Sequence, residues 1–185
     1  MRAGLILASV ILTAIAVLSG GNSFAATTKS SGSASKAAGK AHATLESKSG
    51  STVTGKADFV EKSGGVEISV EISGATPGMH GVHLHQNADC SAADASSAGG
   101  HFNPDNAQHG APDAASHHGG DLGNITIGAN GKGKLKIFVK GLTVAAGDHS
   151  VVGRSVVVHA DPDDLKSQPA GNSGKRVACG AITGM

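Results

Sequence analysis

The sequence of 185 residues contains no tryptophan and no tyrosine, and only four phenylalanines. A hydrophobic core made from this chain must therefore consist mainly of Val, Ile, Leu and Ala. Phe59, Phe102 and Phe138 are the only aromatic residues after the N-terminal segment. The composition predicts an aliphatic core.

A strong charge of either sign is also absent. The formal net charge is +1 at pH 7. Residues 42–185 carry 11 Lys and Arg against 14 Asp and Glu, so this part of the chain has a formal charge of −3. The lysines are scattered and form no run, so the sequence does not indicate a surface for nucleic acid or for an anionic membrane.

Only one long hydrophobic run is present, and it lies at the N-terminus. Leu5 to Leu18 is almost wholly apolar, follows Arg2, and is followed by small residues at Ser23 and Ala25. The run is shorter than the roughly 20 residues that a membrane-spanning helix needs. We therefore expect residues 1–25 to be a cleaved signal peptide, not a membrane anchor, and the protein to be periplasmic or extracellular.

Cysteine is scarce, with Cys90 and Cys179 as the only two. Two cysteines far apart in an exported chain are expected to pair. A bridge would close a loop of roughly 90 residues, which the chain-entropy model values at about 4–5 kcal/mol. Two buried free thiols are the alternative.

The pattern after the hydrophobic run divides the chain into a linker and one domain. Residues 26–41 are rich in Ser, Ala, Lys and Gly without apolar periodicity, which predicts a flexible linker. Residues 42–185 contain short alternating runs, of which Val66 to Ile72 is the clearest, separated by Gly-rich turns. Alternation with a period of two is typical of strands with one wet face, and helical periodicity is missing. The domain is therefore predicted to be all-β, a sandwich or a barrel.

Histidine is unusually frequent, with ten residues. His83 and His85 flank Leu84, and residues i and i+2 of a strand share a face. Two imidazoles on one face can hold a metal such as Cu, Zn, Fe or Ni. A pair of solvated surface histidines would show the same spacing.

The region from Cys90 to Gly120 lacks strand character and is too long for an ordinary connection, so it is predicted to be a functional loop. His101, His109, His118 and Asp121 would supply three nitrogens and one oxygen, a set that suits a structural zinc ion. His117 stands next to His118, and spacing alone does not choose between them. A further candidate ligand, His159, ends the apolar run Val156 to Val158.

Several motifs together resemble those of the copper/zinc superoxide dismutases, over about residues 42–185. They are Gly81-Val82-His83-Leu84-His85, Gly100-His101-Phe102-Asn103-Pro104 with His109-Gly110, His118-Gly119-Gly120-Asp121-Leu122-Gly123-Asn124, Gly147-Asp148-His149, Gly153-Arg154, Val157-Val158-His159 and Gly171-Asn172-Ser173-Gly174-Lys175-Arg176-Val177-Ala178-Cys179-Gly180. The resemblance implies an eight-stranded Greek-key β-barrel, related to Ig-like sandwiches, with a long metal-binding loop. Ten residues separate Cys90 from His101, a longer stretch than in the common eukaryotic form.

The resemblance also assigns roles to individual residues. It implies four copper ligands, four zinc ligands with one histidine shared, a carboxylate that joins the two sets, a cation beside copper and a disulfide. These are copper ligands His83, His85, His101 and His159, zinc ligands His101, His109, His118 and Asp121, the joining carboxylate Asp163, the catalytic residues His101 and Arg176, and the disulfide Cys90–Cys179. His80 and His149 match structural positions in the family and are not expected to be ligands.

The implied activity is the disproportionation of superoxide to oxygen and hydrogen peroxide, with one Cu and one Zn²⁺ per subunit. His101 would act as the proton donor, and Arg176 would attract the anionic substrate. The alternative is a copper-binding or copper-delivery domain without turnover, and an exported adhesion domain is a third hypothesis. Family members dimerise through different barrel faces, so a homodimer is compatible with the resemblance. Nucleic-acid partners and stable membrane insertion after signal cleavage are not expected.

Overall fold

The computed structural model describes residues 39–185. The predicted signal peptide, residues 1–25, and most of the predicted linker, residues 26–41, lie outside the described residues. The first strand begins at Lys40, so the last two residues of the predicted linker, Lys40 and Ala41, belong to that strand. In the described part of the chain, no helix is long and apolar enough to cross a membrane.

Strands dominate the described residues, as the alternating pattern predicted. They are β1 (Lys40–Ser47), β2 (Thr54–Lys62), β3 (Gly65–Ser73), β4 (Gly78–His85), β5 (Asp121–Ile127), β6 (Lys132–Lys140), β7 (Ser155–His159), β8 (Arg176–Ala181) and β9 (Thr183–Gly184). The only helical element between residues 39 and 185 is one 3₁₀ turn, Ser96–Ala98.

The strands close into an antiparallel barrel. Neighbours around it run β1, β2, β3, β6, β5, β4, β7, β8 and back to β1, and β9 adds to β1 beside β8. The connections from β3 to β4 and from β6 to β7 join strands that are not neighbours, which is a Greek-key arrangement. The all-β, eight-stranded barrel expected from the sequence is confirmed.

The core is aliphatic, and its members alternate along each strand. Val66, Ile68, Val70 and Ile72 of β3 are at most 3% exposed, whereas Glu67 and Glu71 face outward. Complete burial of each such side chain stabilises the fold by about 1.5–3 kcal/mol. On β6 the inward positions belong to Leu135, Ile137 and Val139, so Phe138 faces outward and is 45% exposed.

One predicted strand is shorter in the structure. The valine-rich segment from Val151 to Val158, which also contains Gly153, Arg154 and Ser155, predicts a strand over its whole length, yet β7 begins only at Ser155. Val151 is buried, but its carbonyl accepts a hydrogen bond from the Arg154 N–H, and Gly153 has a φ of 83°. A tight turn therefore interrupts the run.

Candidate metal centre

Strand β4 directs two histidines to one side of the barrel wall. Val82 and Leu84 point into the core, and His83 and His85 point the opposite way, under the long loop, where both are at most 1% exposed. The loop returns to the same strand, since the Phe102 N–H donates to the Leu84 carbonyl over 2.8 Å. This contact sets the neighbouring His101 opposite His85 in an isolated β-bridge.

The first histidine group joins β4, β7 and the loop. His83, His85, His101 and His159 each offer one ligand atom, and these atoms lie within 4.8 Å of one another. One ring nitrogen in each is buried and has no hydrogen-bond partner among the described residues: His83 Nδ1, His85 Nε2, His101 Nε2 and His159 Nε2. Unpaired buried polar atoms are costly and rare in proteins. Four that converge fit a bound transition-metal ion, and imidazole nitrogens suit copper.

The opposite ring nitrogens of this group are held by acceptors. His83 Nε2 donates to Asp163 Oδ2 over 2.8 Å, and His85 Nδ1 donates to the Gly99 carbonyl over 2.9 Å. His159 Nδ1 lies 3.3 Å from the Gly174 carbonyl. Because one nitrogen in each of these three rings carries a proton toward an acceptor, the other is left with a free lone pair.

The second group surrounds a carboxylate. Asp121 Oδ1 lies 2.9 Å from His101 Nδ1, 2.9 Å from His109 Nδ1 and 3.2 Å from His118 Nδ1. Four ligands that surround zinc tetrahedrally at ~2.0–2.1 Å lie about 3.3 Å apart, so this spacing fits a zinc ion. Asp121 Oδ2 accepts hydrogen bonds from the backbone N–H groups of Gly110 and His118, which fixes the carboxylate.

The structure distinguishes the two adjacent histidines of the loop. His118 Nδ1 belongs to the second group. His117 is half-buried, and its Nδ1 donates to the His118 carbonyl over 2.7 Å. The spacing in the sequence did not show which of the two histidines joins the second group. In the structure, the path of the loop backbone brings His118 to it.

His101 and Asp163 connect the two groups. His101 belongs to both. Asp163, which is 3% exposed, accepts from His83 Nε2 through Oδ2 and from His109 Nε2 through Oδ1, over 2.8 and 3.0 Å. Asp163 is itself bonded through its backbone to the side-chain amide of Asn124, at 2.7 and 2.9 Å. A Cβ at Gly171, whose φ is 64°, would collide with the Asp163 carboxylate, so this position requires glycine.

Burial keeps three histidines of the first group neutral. It lowers the pKa of His83 and of His85 well below the usual value, and it lowers the pKa of His159 to about 4. Burial by itself would raise the pKa of Asp121. Hydrogen bonds from His101 and the Gly110 N–H outweigh that effect, so the pKa lies well below its ordinary value. Neutral imidazoles and an ionised carboxylate are the protonation states that metal binding needs.

Arg176 lies beside the first group. It pairs with His159 across β7 and β8. Its guanidinium donates to the Ala95 carbonyl over 2.7 Å and to the Gly99 carbonyl over 2.8 Å. Burial lowers the pKa of Arg176, but a guanidinium stays protonated in proteins. Since the Gly99 oxygen also accepts from His85, one carbonyl fixes both the cation and a histidine of the group.

The disulfide predicted from the cysteine count is present between Cys90 and Cys179. It ties the start of the long loop to β8. The loop buries Ala95 and Ala98 completely against Val157 and Cys179. The Ala-rich stretch between Cys90 and His101 is therefore packed against the barrel.

Sequence reasoning missed one residue that orders the second group. The Gln168 side chain accepts from the His109 N–H and donates to the His109 carbonyl, both over 2.9 Å. An amide that binds a distant backbone has no spacing signature, so no pattern in the sequence could have indicated it. His80, expected to be structural, bonds the His159 and Thr76 carbonyls, and His149 lies 3.6 Å from Asp105.

Comparison with known proteins identifies a single family. A family model described as copper/zinc superoxide dismutase matches residues 53–182. The chain is 44% identical over 137 residues to "Superoxide dismutase [Cu-Zn] 3" of Arabidopsis thaliana, covering 70% of this chain and 82% of that protein. It is 43% identical over 141 residues to "Superoxide dismutase [Cu-Zn]" of Deinococcus radiodurans, covering 70% and 77%. Among solved structures, the crystal structure of "the clock protein EA4" matches with a TM-score of 0.72 and 34% identity, covering 80% of this chain and 96% of that one.

Proposed function

The chain belongs to the copper/zinc superoxide dismutase family, and from this premise we propose which of its residues hold the metals and which act on the substrate. The protein is a superoxide dismutase, an oxidoreductase that converts superoxide to oxygen and hydrogen peroxide. Its histidine and aspartate groups fit copper and zinc. A copper-delivery domain without turnover is not favoured, because no member of the copper-binding group is missing.

His83 Nδ1 and the Nε2 atoms of His85, His101 and His159 would hold copper, and we call these four residues the copper group. The observation that carries this assignment is the convergence of four buried nitrogens that have no other partner within residues 39–185. When bound, copper supplies one-electron redox chemistry that zinc does not have. The acceptors behind the rings, Asp163 and the Gly99 carbonyl, keep these nitrogens deprotonated and aimed at the site.

The Nδ1 atoms of His101, His109 and His118 together with Asp121 would hold zinc, and we call these four residues the zinc group. The close approach of Asp121 Oδ1 to all three nitrogens supports this set. Its four protein ligands leave no open position, which is typical of a structural site. The site would stabilise a loop that contains only one turn of regular structure.

Two residues act on the substrate. His101 would present Nδ1 to the zinc group and Nε2 to the copper group. When its Nε2 is not bound to metal, that nitrogen can carry a proton and donate it to the reduced oxygen species that becomes hydrogen peroxide. Two superoxide ions and two protons yield one oxygen and one hydrogen peroxide. Arg176, held by the carbonyls of Ala95 and Gly99, supplies a fixed positive charge that binds the anion.

Metal analysis of purified protein, together with a superoxide-scavenging assay, tests the proposal. One copper and one zinc per chain with turnover is the expected result. Copper bound at the four histidines without turnover would indicate the carrier function instead. A chain that binds neither metal would overturn the ligand assignment.

Export is the remaining part of the proposal. The disulfide is compatible with an oxidising compartment, and the sequence of residues 1–25 has the order of regions found in signal peptides. We expect the mature protein to start at or near Ala26. Mass spectrometry of protein recovered outside the cytoplasm checks this, and detection of Met1 or Arg2 on it would rule the proposal out.

A further inference from the structure

Two strands that flank β3 present lysines to solvent on one face of the barrel. The outward positions of β6 alternate with its core positions and carry Lys132, Lys134, Lys136, Phe138 and Lys140. Strand β3 pairs with β6 on one side and with β2 on the other, and β2 adds Lys56 and Lys62. These lysines form no run in the sequence because a strand alternates its faces.

Charge is distributed unevenly between this face and the rest of the domain. The outer face of β2, β3 and β6 carries six lysines against three carboxylates, Asp58, Glu67 and Glu71, so its formal charge is +3. The rest of residues 42–185 carries five basic and eleven acidic residues, a formal charge of −6. The domain is therefore strongly dipolar although its total charge is small.

Part of the face is already neutralised. Lys134 and Lys56 form ion pairs with Glu71, and Lys136 pairs with Glu67 over 3.2 Å. Lys62 and Lys140, by contrast, have no ion-pair partner between residues 39 and 185, and both are exposed. Their positive charges are available to a partner.

The free lysines surround an exposed aromatic ring. Lys62 and Lys140 both pair with Gly65, one from β2 and one from β6, which separates their Cα atoms by about 10 Å. Phe138 leans over the gap at Gly65, where a Cβ would lie 2.8 Å from the ring. The half-buried Val60 and the exposed Lys40 occupy the adjacent row. We call Lys40, Val60, Lys62, Phe138 and Lys140 the basic patch.

The basic patch lies away from the metal centre. Three strands lie between β3 and β7 in either direction around the eight-stranded barrel, so the two are on opposite sides. His83, His85 and His159 lie on β4 and β7. A surface bound at the patch would leave the metal centre facing solvent.

We propose that the basic patch binds the surface of a bilayer that contains anionic lipids. Lysines near such a surface each contribute about 1 kcal/mol of attraction, and an exposed Phe between them can enter the interface, as aromatic side chains of peripheral proteins do. A soluble polyanion would use the lysines but gain nothing from the Phe138 ring. This inference does not depend on the metal-ligand assignment.

Vesicle co-sedimentation tests the proposal with the metal-loaded chain of residues 26–185, since the apolar run before Ser19 would itself bind bilayers. The protein is expected to bind vesicles of phosphatidylcholine with phosphatidylglycerol and not phosphatidylcholine alone, and salt should release it. Lys62→Glu with Lys140→Glu should lower the partition coefficient at least ~10-fold. The matched control, Lys48→Glu with Lys166→Glu, makes the same change in net charge away from the patch and should retain most of the binding.

A single fluorophore separates lipid from other polyanions, because the chain has no tryptophan. The emission of a Phe138→Trp variant should shift to shorter wavelength on anionic vesicles and stay unchanged with a sulfated polysaccharide. Phe138→Ser should weaken vesicle binding several-fold at constant charge. Circular dichroism, metal content and dismutase activity verify that each variant is folded. The proposal would be overturned if the Lys48→Glu, Lys166→Glu control lost as much vesicle binding as the patch variant. It would also be overturned if the protein bound the polysaccharide but not the vesicles.

Discussion

At the scale of single residues, the metal centre depends on acceptors that stand behind its histidines. Asp163 orders one histidine of each group, and the Gly99 carbonyl orders both His85 and Arg176. Each of these contacts fixes which nitrogen is free to bind a metal. Removal of a ligand should therefore affect stability and catalysis differently from removal of the substrate-binding cation.

Asp121→Ala should lower thermal stability more than it lowers activity per bound copper. Asp121 is the only carboxylate of the zinc group and accepts hydrogen bonds from the loop backbone at Gly110 and His118. Loss of zinc-coupled stabilisation should reduce the Tm by at least ~10 °C, measured by calorimetry together with metal content. His117→Ala is the matched control and should retain zinc, whereas zinc loss from it would show that the wrong histidine was assigned.

Arg176→Glu should reduce the second-order rate constant at least ~10-fold, because it replaces attraction of superoxide by repulsion beside the copper group. Copper content should stay near that of the unmodified enzyme, since no ligand changes. Higher ionic strength should slow the unmodified enzyme but slow the variant less or accelerate it, because salt screens both fields over about 10 Å at 0.1 M.

The control for Arg176 is Lys62→Glu, which makes the same change in charge on β2, on the side of the barrel opposite β4. It should retain most of the rate measured by pulse radiolysis. A fully active Arg176→Glu enzyme with an unchanged salt response would contradict the role given to Arg176 and leave the copper assignment intact.

At the scale of elements, strands supply three histidines of the copper group, and irregular loops supply most of the rest. The loops are held by the disulfide, by buried alanines packed on Val157, and by side chains that bond backbone groups. Gln168 is the clearest example, since it joins the loop before β8 to the loop that carries His109. Order in the zinc group therefore depends on contacts between two loops.

Gln168→Ala should accelerate zinc release about 10-fold, because it leaves the His109 N–H and carbonyl without their partners. Transfer of zinc to a chromogenic chelator, followed at neutral pH, measures the rate. Asn172→Gly is a suitable control, since Asn172 lies in the same loop at a φ of 52°, which glycine adopts without strain, and its side-chain amide donates to Asp164 and not to His109. Equal rates for both variants and the unmodified protein would show that Gln168 does not order the site.

At the scale of the whole molecule, the barrel buries several titratable histidines, which couples folding to pH. In the metal-free protein, burial holds the pKa of His83 and His85 well below usual and that of His159 at about 4. The same residues protonate near pH 6.5 in the unfolded chain. Below about pH 6.5 the unfolded state therefore binds protons that the folded state does not.

The Tm of the metal-free protein should accordingly fall as the pH decreases from 7.5 to 5, through the window between the unfolded and folded pKa values. Differential scanning calorimetry of the metal-free protein measures this fall. The metal-loaded protein is the comparison, and it should remain more stable at each pH because metal binds only the folded state. If the Tm of the metal-free protein stayed constant over this pH range, the imidazole rings of His83, His85 and His159 would have to be solvated in the folded state.

The sequence by itself determined features that depend on neighbouring residues or on residue counts. The alternation of Val66 to Ile72 predicted an all-β domain, and the His83-Leu84-His85 spacing predicted two imidazoles on one face, because strand geometry sets the direction of successive side chains locally. The disulfide was predicted because the chain, which is expected to be exported, has only two cysteines to pair. The motifs of the resemblance then indicated the family.

Only the tertiary structure decided what distant segments do together. It brings His118 and not His117 to Asp121, and it places the Gln168 side chain in hydrogen-bond contact with the His109 backbone. It also forms a turn between Val151 and β7, and it brings lysines that are scattered in the sequence close to the exposed Phe138. Local patterns carry no information about which elements meet, because that depends on closure of the barrel and on the paths of its loops. For this protein, the residue types indicate which chemistry is available, and the fold sets the distances between those residues and the side of the barrel on which each one lies.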